Sequence, residues 1–481
     1  MTGIIRRVGL YGIATVLPSA ITFLFLPVLT RQMSKNEFGT MSALTALFNL
    51  FFIAFTLYLD RSLGRLYYLY EGEARRELIG SLFLSVLGIS SAGVLISIGL
   101  SPFFETIYPQ ISAWRFGAYA VSMYFTVLVY FARMYYTAAE KPTQYLFLSL
   151  SVSAATVFGM YWFIIVRQGG VDGWIKALIF ANAVVALPAG ISIARISSLR
   201  LRPVLVKEAL LYAGPMIPAF FFTWLSGSAD RLLVGHWAGM NNNALYGAAT
   251  QLSNILPVVF LPVYMTYTPI FYRFSSGTEE DRKIAQALNR ALMLLIVTVA
   301  CALIVSAPWL AGTVLPASYR GVSGTFAWLV VAGCLMQCAG LGQTALYFDK
   351  RTDLVLIVTA VTAGAAVVAD LAMIPRMGRE GAVIGQLISS AVMASGMFLL
   401  AWRRYPDFIQ RKFATRVFAT IALMGVVAEA QTRLGHLGLW LTVEAGILAG
   451  LGIQIWTERT AFSWLRSKDL WKAPEMEPVV S

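Results

Sequence analysis

The sequence predicts an all-α integral membrane protein of about fourteen transmembrane helices. Three observations predict it: scarce charge, uncharged runs of bilayer length, and basic residues gathered into alternate loops. Hydrophobic residues make up 58% of the 481 and charged residues 13%, about half the roughly 25% of a soluble globular domain. A soluble chain of this length needs a charged skin, and so few charges cannot make one. The uncharged runs cover 8–30, 38–59, 78–104, 116–132, 142–166 and 177–194, then 209–229, 232–272, 291–319, 321–348, 354–369 and 381–402. Most have the ~20 residues that a helix needs to cross ~30 Å of hydrocarbon. Two further runs, 417–430 and 437–456, carry Glu429 and Glu444. Barrel strands would be ~10 residues with strict alternation, so run length selects helices.

The formal net charge of +13 would suggest nucleic acid in a soluble protein. Here its location decides. With the N-terminus inside, alternate hairpins place Arg6, Arg7, Arg75, Arg76, Arg282, Lys283, Arg403 and Arg404 on the inner side. Twenty-seven of the 37 basic residues fall there and ten outside, as the positive-inside rule requires. Both termini are therefore expected in the cytoplasm. The basic balance reports topology and attraction to anionic membrane lipids, and no nucleic-acid partner.

The first apolar run is too long for a cleavable signal peptide and lacks a small-residue cleavage site before Arg31. Cys334 and Cys338 lie one helical turn apart in an apolar run, a spacing that reads as packing. His236 and His436 are isolated, so neither zinc nor haem has a ligand set. No P-loop, Gly-x-Ser-x-Gly or paired-carboxylate motif occurs in a loop. The longest outer loop, 101–115, is too short for an enzymatic domain. The expectation is a protein without cofactor that is not an enzyme, ending in a disordered tail over 474–481.

Internal landmarks recur at one offset. Phe38-Gly39 matches Tyr246-Gly247, Asp172-Gly173 matches Glu380-Gly381, and Arg195 matches Arg403, each 208 residues on. The turns at Glu140-Lys141 and Asp349-Lys350 match at 209. These landmarks imply two six-helix lobes, 1–200 and 201–404, followed by two helices over 405–460 and a cytoplasmic tail over 461–481. Six is even, so the repeats share orientation, as in carriers whose lobes rock around a central cavity.

Several segments carry a resemblance. Leu26-Pro-Val-Leu-Thr-Arg31-Gln-Met-Ser-Lys-Asn-Glu37-Phe-Gly39 and Leu59-Asp60-Arg61-Ser-Leu-Gly-Arg65 resemble the opening of the polysaccharide-biosynthesis flippases. Ser226-Gly-Ser-Ala-Asp230-Arg231 with Ala244-Leu-Tyr246-Gly247 is similar to their seventh-to-eighth helix passage. Asp370-Leu-Ala-Met-Ile-Pro375-Arg-Met-Gly378-Arg-Glu-Gly381 is similar to the eleventh-to-twelfth hairpin, where the family usually has Asn in place of Asp370. The resemblance, to the multidrug/oligosaccharidyl-lipid/polysaccharide exporter superfamily, spans about residues 5–405. The extra helix pair resembles that of the lipid II flippase. It implies a bacterial inner-membrane carrier of an undecaprenyl-diphosphate-linked oligosaccharide, working beside a polysaccharide polymerase and glycosyltransferases.

A diphosphate cannot cross hydrocarbon unaided, so such a carrier must offer cations and water in a cavity. Arg forks suit phosphate oxygens. Arg61 and Arg65, one turn apart at the cytoplasmic end of the second helix, are entry-site candidates, and equally positive-inside anchors. Arg133 either reaches the same cavity or snorkels to the interface. Asp230 and Arg231 form either an inter-helix staple or a gate and phosphate contact near the outer end. Asp370 and Glu444 are candidates for H⁺ or Na⁺ coupling. Asp370 also reads as an interfacial hydrogen-bonding residue.

Polar stripes line the first, second, seventh and eighth helices: Tyr11, Thr15, Ser19, Thr22; Ser42, Thr45, Asn49, Thr56, Asp60; Tyr212, Thr223, Ser226, Asp230; Tyr246, Thr250, Asn254. They fit either helix packing or a wet cavity. Pro18, Pro215, Pro218, Pro257, Pro262 and Pro269 predict kinks in the same helices. Two other functions fit the composition. A multidrug or small-solute antiporter would rely on intramembrane acids, and a membrane-bound polymerase would want a large outer loop or an intramembrane His/Asp constellation.

Overall fold

A computed structural model describes residues 2–275, 278–405, 409–433 and 452. Every regular element among them is helical. Among the described residues ten helices are long and apolar enough to cross a bilayer, or eleven when Pro203–Ala213 and Met216–Gly227, bent by 47°, are one span. The chain is a multi-pass α-helical membrane protein. The predicted run 437–456, with Glu444, and the tail over 461–481 lie outside the described residues, Gly452 apart.

Two compact units emerge. The first comprises Met1–Leu252, Leu310–Thr325 and Thr359–Ser389, the second Ser253–Trp309, Phe326–Val358 and Ser390–Ser481. The chain opens with α1 (Thr2–Gln32), then a helix in three pieces: α2 (Lys35–Ala46), α3 (Phe48–Thr56) and α4 (Leu59–Leu66). Next come α5 (Gly72–Ile107), α6 (Ala113–Ala138), α7 (Pro142–Met160), which ends in a π-helical turn at Tyr161–Val166, and α8 (Gly170–Ile196). The short α9 (Pro203–Ala213), α10 (Met216–Gly227) and α11 (Ala229–Trp237) lead to α12 (Met240–Ser253) and α13 (Ile255–Ser275). The chain continues through α14 (Glu279–Val305), α15 (Ala307–Val314), α16 (Val322–Phe348), α17 (Thr352–Met377), α18 (Arg379–Arg404) and α19 (Arg411–Arg433).

Local chemistry explains the family-like segments. Ser34 opens α2 with a capping box: its hydroxyl accepts from the Glu37 amide at 3.3 Å, and the Glu37 carboxylate accepts from the Ser34 amide at 2.9 Å. Two orphan amides of the helix start are thereby satisfied. Gly39 then lets α2 meet α12, because a Cβ there would overlap the carbonyl oxygen of Met240. The Gly39 carbonyl accepts from Asn243 Nδ2 at 2.8 Å. Gly247 serves the same contact from the other side, against Ser42. Close backbone approach through small residues is how membrane helices pack without a hydrophobic driving force between them. Gly39→Val is expected to cost roughly 3 kcal/mol, the overlap plus a lost buried hydrogen bond, read as a lower Tm in detergent. An unchanged Tm would refute the contact.

The proline at 215 marks the 47° bend, as the sequence predicts. The break between α3 and α4 has no such signal. Leu57 and Tyr58 both sit in the left-handed region, at φ 44° and 57°, which costs about 1–2 kcal/mol per residue. Packing holds them there. The Tyr58 ring stacks on Phe220 at 4.5 Å and is buried with Ile53 and Ala213. Buried Thr56 bridges the break: its hydroxyl donates to the Phe52 carbonyl at 2.8 Å and accepts from the Tyr58 amide at 3.1 Å. Thr56→Val keeps the shape and strands that amide. A loss of about 1–3 kcal/mol is expected, seen in thermal unfolding, and a neutral result would rule out this role.

The matched turns share a geometry. Glu140 at φ 53° and Lys350 at φ 58° end α7's and α17's preceding helices alike. In each, the next amide closes five residues back, Lys141 to Tyr136 at 2.8 Å and Arg351 to Leu346 at 2.9 Å. The equivalent residue of Glu140 is thus Lys350, at an offset of 210, rather than Asp349. Asp349 itself accepts from the Tyr405 hydroxyl and Arg404 Nε, both at 2.7 Å, and the Tyr405 hydrogen bond first, then Arg404, holds its carboxyl below the usual range. The two hairpin glycines also act alike: a Cβ at Gly173 would crowd the Phe163 carbonyl, and one at Gly381 the Met373 carbonyl.

The hydroxyl stripes fold back on their own helices. Thr45, Thr56, Thr223 and Thr250 each donate to the carbonyl four residues earlier. The side chains of the stripe on α1 (Tyr11, Thr15, Ser19 and Thr22) lie outside the described residues.

Candidate functional site

The predicted residues fall into two groups, both in the first unit. The first group is built on α4, an eight-residue piece with one buried and one exposed face. Asp60, Ser62, Leu63 and Leu66 are buried. Ser62 Oγ donates to the Ala209 carbonyl at 2.8 Å, fastening α4 to α9, and Gly64 faces Met134 on α6. The exposed face carries Arg61 and Arg65. Arg133 follows on α6, beside Met134.

Two of these guanidinium groups, Arg65 and Arg133, are held without being neutralised. Arg65 lies over the Tyr212 ring with its centre 4.8 Å from the centroid, and Arg133 over Tyr130 at 5.2 Å. Neither makes an ion pair among the described residues, and Arg133 Nε is buried without a hydrogen-bond partner. Arg61 Nε stands 3.8 Å from the Asp60 carboxylate, with its side chain 46% exposed. A cation on an aromatic face keeps its charge and its donor edge. The arrangement therefore offers unspent donors to an anion.

The second group gathers on α11, α12 and α17. Asp230 is buried and accepts from the Tyr246 hydroxyl of α12 at 2.5 Å and from the Arg231 amide at 2.7 Å. The expected partner on another helix is therefore Tyr246, which the sequence did not single out for this role. Arg231 instead turns back to Ser228, donating to its hydroxyl at 3.1 Å. Its Nε is buried without a hydrogen-bond partner. Asp370 on α17 is 4% exposed, and its Oδ1 has no hydrogen-bond partner. Asp370 lies within electrostatic reach of both Asp230 and Tyr246. Gly385 on α18 makes room for it, since a Cβ there would overlap Oδ1. Glu444 lies outside the described residues.

Asp230 and Asp370 lie 140 positions apart, and nothing in their own segments joins them. The available signal was Gly381-x-x-x-Gly385, a small-residue spacing that brings α17 and α18 together. The two groups sit far apart. α11 packs against α2, whereas α4 follows the 22-residue stretch Lys35–Thr56, about 33 Å of helix. In the second unit, α13 and α14 form an open, largely apolar groove of about 740 Å³, lined by Pro262, Val263, Tyr267, Leu288, Leu292 and Leu295. No group of three or more His, Cys, Asp or Glu suited to a metal occurs among the described residues.

Among solved structures, the lipid II flippase MurJ in an inward closed conformation is similar over 94% of this chain and 99% of its own, with a TM-score of 0.70 and 13% identity. A variant of the Vibrio cholerae MATE transporter VcmN is similar over 86% of this chain and 99% of its own, with a TM-score of 0.56 and 17% identity. At these identities the likeness is one of fold. Lsg locus putative protein 1 of Haemophilus influenzae is 21% identical over 298 residues, 58% of this chain and 68% of that protein. The model of the family described as polysaccharide biosynthesis protein matches residues 4–275, which include α4, Arg133, Asp230 and Arg231. With more than half of its length matched, this chain belongs to the polysaccharide biosynthesis protein family.

Proposed function

We propose that the chain is a flippase of the bacterial inner membrane, carrying an undecaprenyl-diphosphate-linked oligosaccharide from the cytoplasmic to the outer leaflet. The observation that carries this reading is the guanidinium set on two packed helices, with Arg65 and Arg133 un-neutralised and Arg61 half-exposed beside Asp60. A diphosphate has the charge and the acceptors to use it. Both termini lie in the cytoplasm in this orientation, which puts α4 where a headgroup would enter. The two six-helix lobes alternate access around the carried sugar, and the open apolar groove between α13 and α14 suits a polyprenyl chain. Transport is coupled to H⁺ or Na⁺ at Asp370 beside Asp230, without a cofactor or covalent chemistry. A polymerase and glycosyltransferases act before and after it on the same lipid-linked sugar.

The test is a leaflet assay in proteoliposomes with a defined lipid-linked oligosaccharide. Protein-dependent appearance of the sugar in the opposite leaflet supports the reading. Its absence under both H⁺ and Na⁺ gradients overturns it. The buried acids Asp60, Asp230 and Asp370 favour one second reading, an antiporter of organic cations. Gradient-driven uptake of such cations, with no movement of the lipid-linked sugar, would establish that instead.

A further inference from the structure

The segment before α9 is strapped across the first turns of α5. The Ser198 amide donates to the Arg76 carbonyl at 3.0 Å, and Ser81 Oγ donates to the Arg200 carbonyl at 2.8 Å while accepting from the Arg202 amide at 3.0 Å. Arg202 pairs with Glu77 at 2.8 Å. Gly80 lies under the strap, where a Cβ would overlap the Ser198 carbonyl. Through Leu201 the strap borders a groove between α5 and α9, of about 410 Å³, lined also by Ser85, Pro203, Val206, Lys207 and Leu210.

The polar atoms of this groove are almost all committed. Ser85 donates to the Ser81 carbonyl at 2.8 Å. The acids nearby are spent as well, Glu208 on the Tyr70 hydroxyl at 2.5 Å and Glu77 on Arg202. Lys207 is exposed and has no ion-pair partner among the described residues. Around it Leu199, Leu201, Val204 and Leu211 are 53%, 57%, 77% and 70% exposed. An apolar groove with one unspent cation at its mouth is complementary to an amphiphile with an anionic head. Lys207 also sits in the first turns of the span Pro203–Gly227, the depth at which phospholipid phosphates lie.

We propose that this groove holds one anionic phospholipid, an acyl chain along Val206 and Leu210 and its phosphate on Lys207. The lipid is a resident one, and the site is separate from Arg61, Arg65 and Arg133. Native mass spectrometry of the full chain in detergent, titrated with phosphatidylglycerol or phosphatidylcholine, tests it. The wild type is expected to retain a phosphatidylglycerol adduct, and Lys207→Glu to weaken it about tenfold. Ser85→Phe, which fills the groove without touching charge, is expected to weaken it similarly. Equal retention by wild type and Lys207→Glu, or equal retention of phosphatidylcholine, overturns the proposal. So does displacement of the adduct by equimolar undecaprenyl phosphate, which would assign the groove to the carried lipid.

Discussion

Replacing Arg61 and Arg65 together with alanine is expected to slow flipping roughly 10²–10⁴-fold while leaving the chain folded in the membrane. Hydrogen bonds to a charged partner contribute about 1.5–3 kcal/mol each, and each 1.4 kcal/mol is tenfold. Removing both arginines therefore takes about 3–6 kcal/mol from diphosphate capture, with the upper end reached only if the two act independently. The cost to the fold comes mainly from buried Asp60, which loses its partner Arg61 and is relieved by taking up a proton. Arg65 gives α4 one ring contact with Tyr212, worth about 0.5–1 kcal/mol where exposed. The buried bond from Ser62 to Ala209 still ties α4 to α9. Lysine at both positions keeps the charge and loses the planar fork, so an intermediate rate is expected. The leaflet assay measures the rates, and detergent Tm confirms folding. Wild-type flipping by the double alanine variant would reduce both arginines to topological anchors.

How far the sequence reaches is visible at particular residues. The membrane fold was legible because the hydrophobic period and the bilayer thickness act on whole segments, so run length alone identifies a span. The 47° bend was legible too, since Pro215 removes a donor and crowds the preceding turn. The Leu57–Tyr58 break was not. Neither residue favours a left-handed backbone, and what stabilises it is the Phe220 ring and the Thr56 hydroxyl, partners known only once α10 lies against α3. Arg61, Arg65 and Arg133 could be picked out by charge in an apolar setting. The ring under Arg65 could not, because Tyr212 lies nearly 150 positions away, whereas Tyr130 under Arg133 is only three residues off on the same helix. The turns show the limit of pattern matching in reverse: the acidic-Lys spacing suggested Asp349 as the counterpart of Glu140, whereas backbone geometry selects Lys350.

The joining of Asp230 to Asp370 leads to the second large effect. Asp230 already accepts two hydrogen bonds, from Tyr246 and from the Arg231 amide. Asp370 Oδ1 accepts none and is buried beside it. An ionised carboxylate left so, next to a second one, costs several kcal/mol. A cation shared between them, H⁺ or Na⁺, removes most of that cost, and a change of conformation that separates the two would release it. Asp370→Asn preserves shape and abolishes the need for the cation. It is expected to cut gradient-driven flipping at least tenfold, and the remaining rate should respond to neither pH at fixed Na⁺ nor Na⁺ at fixed pH. Gly385→Ala pushes a methyl group onto the same carboxylate and should reproduce part of the loss with the acid still present. A wild-type response of Asp370→Asn to both ions would exclude this pair from coupling. Loss of the Na⁺ response alone, with the pH response intact, would identify Na⁺ as the ion that the pair holds.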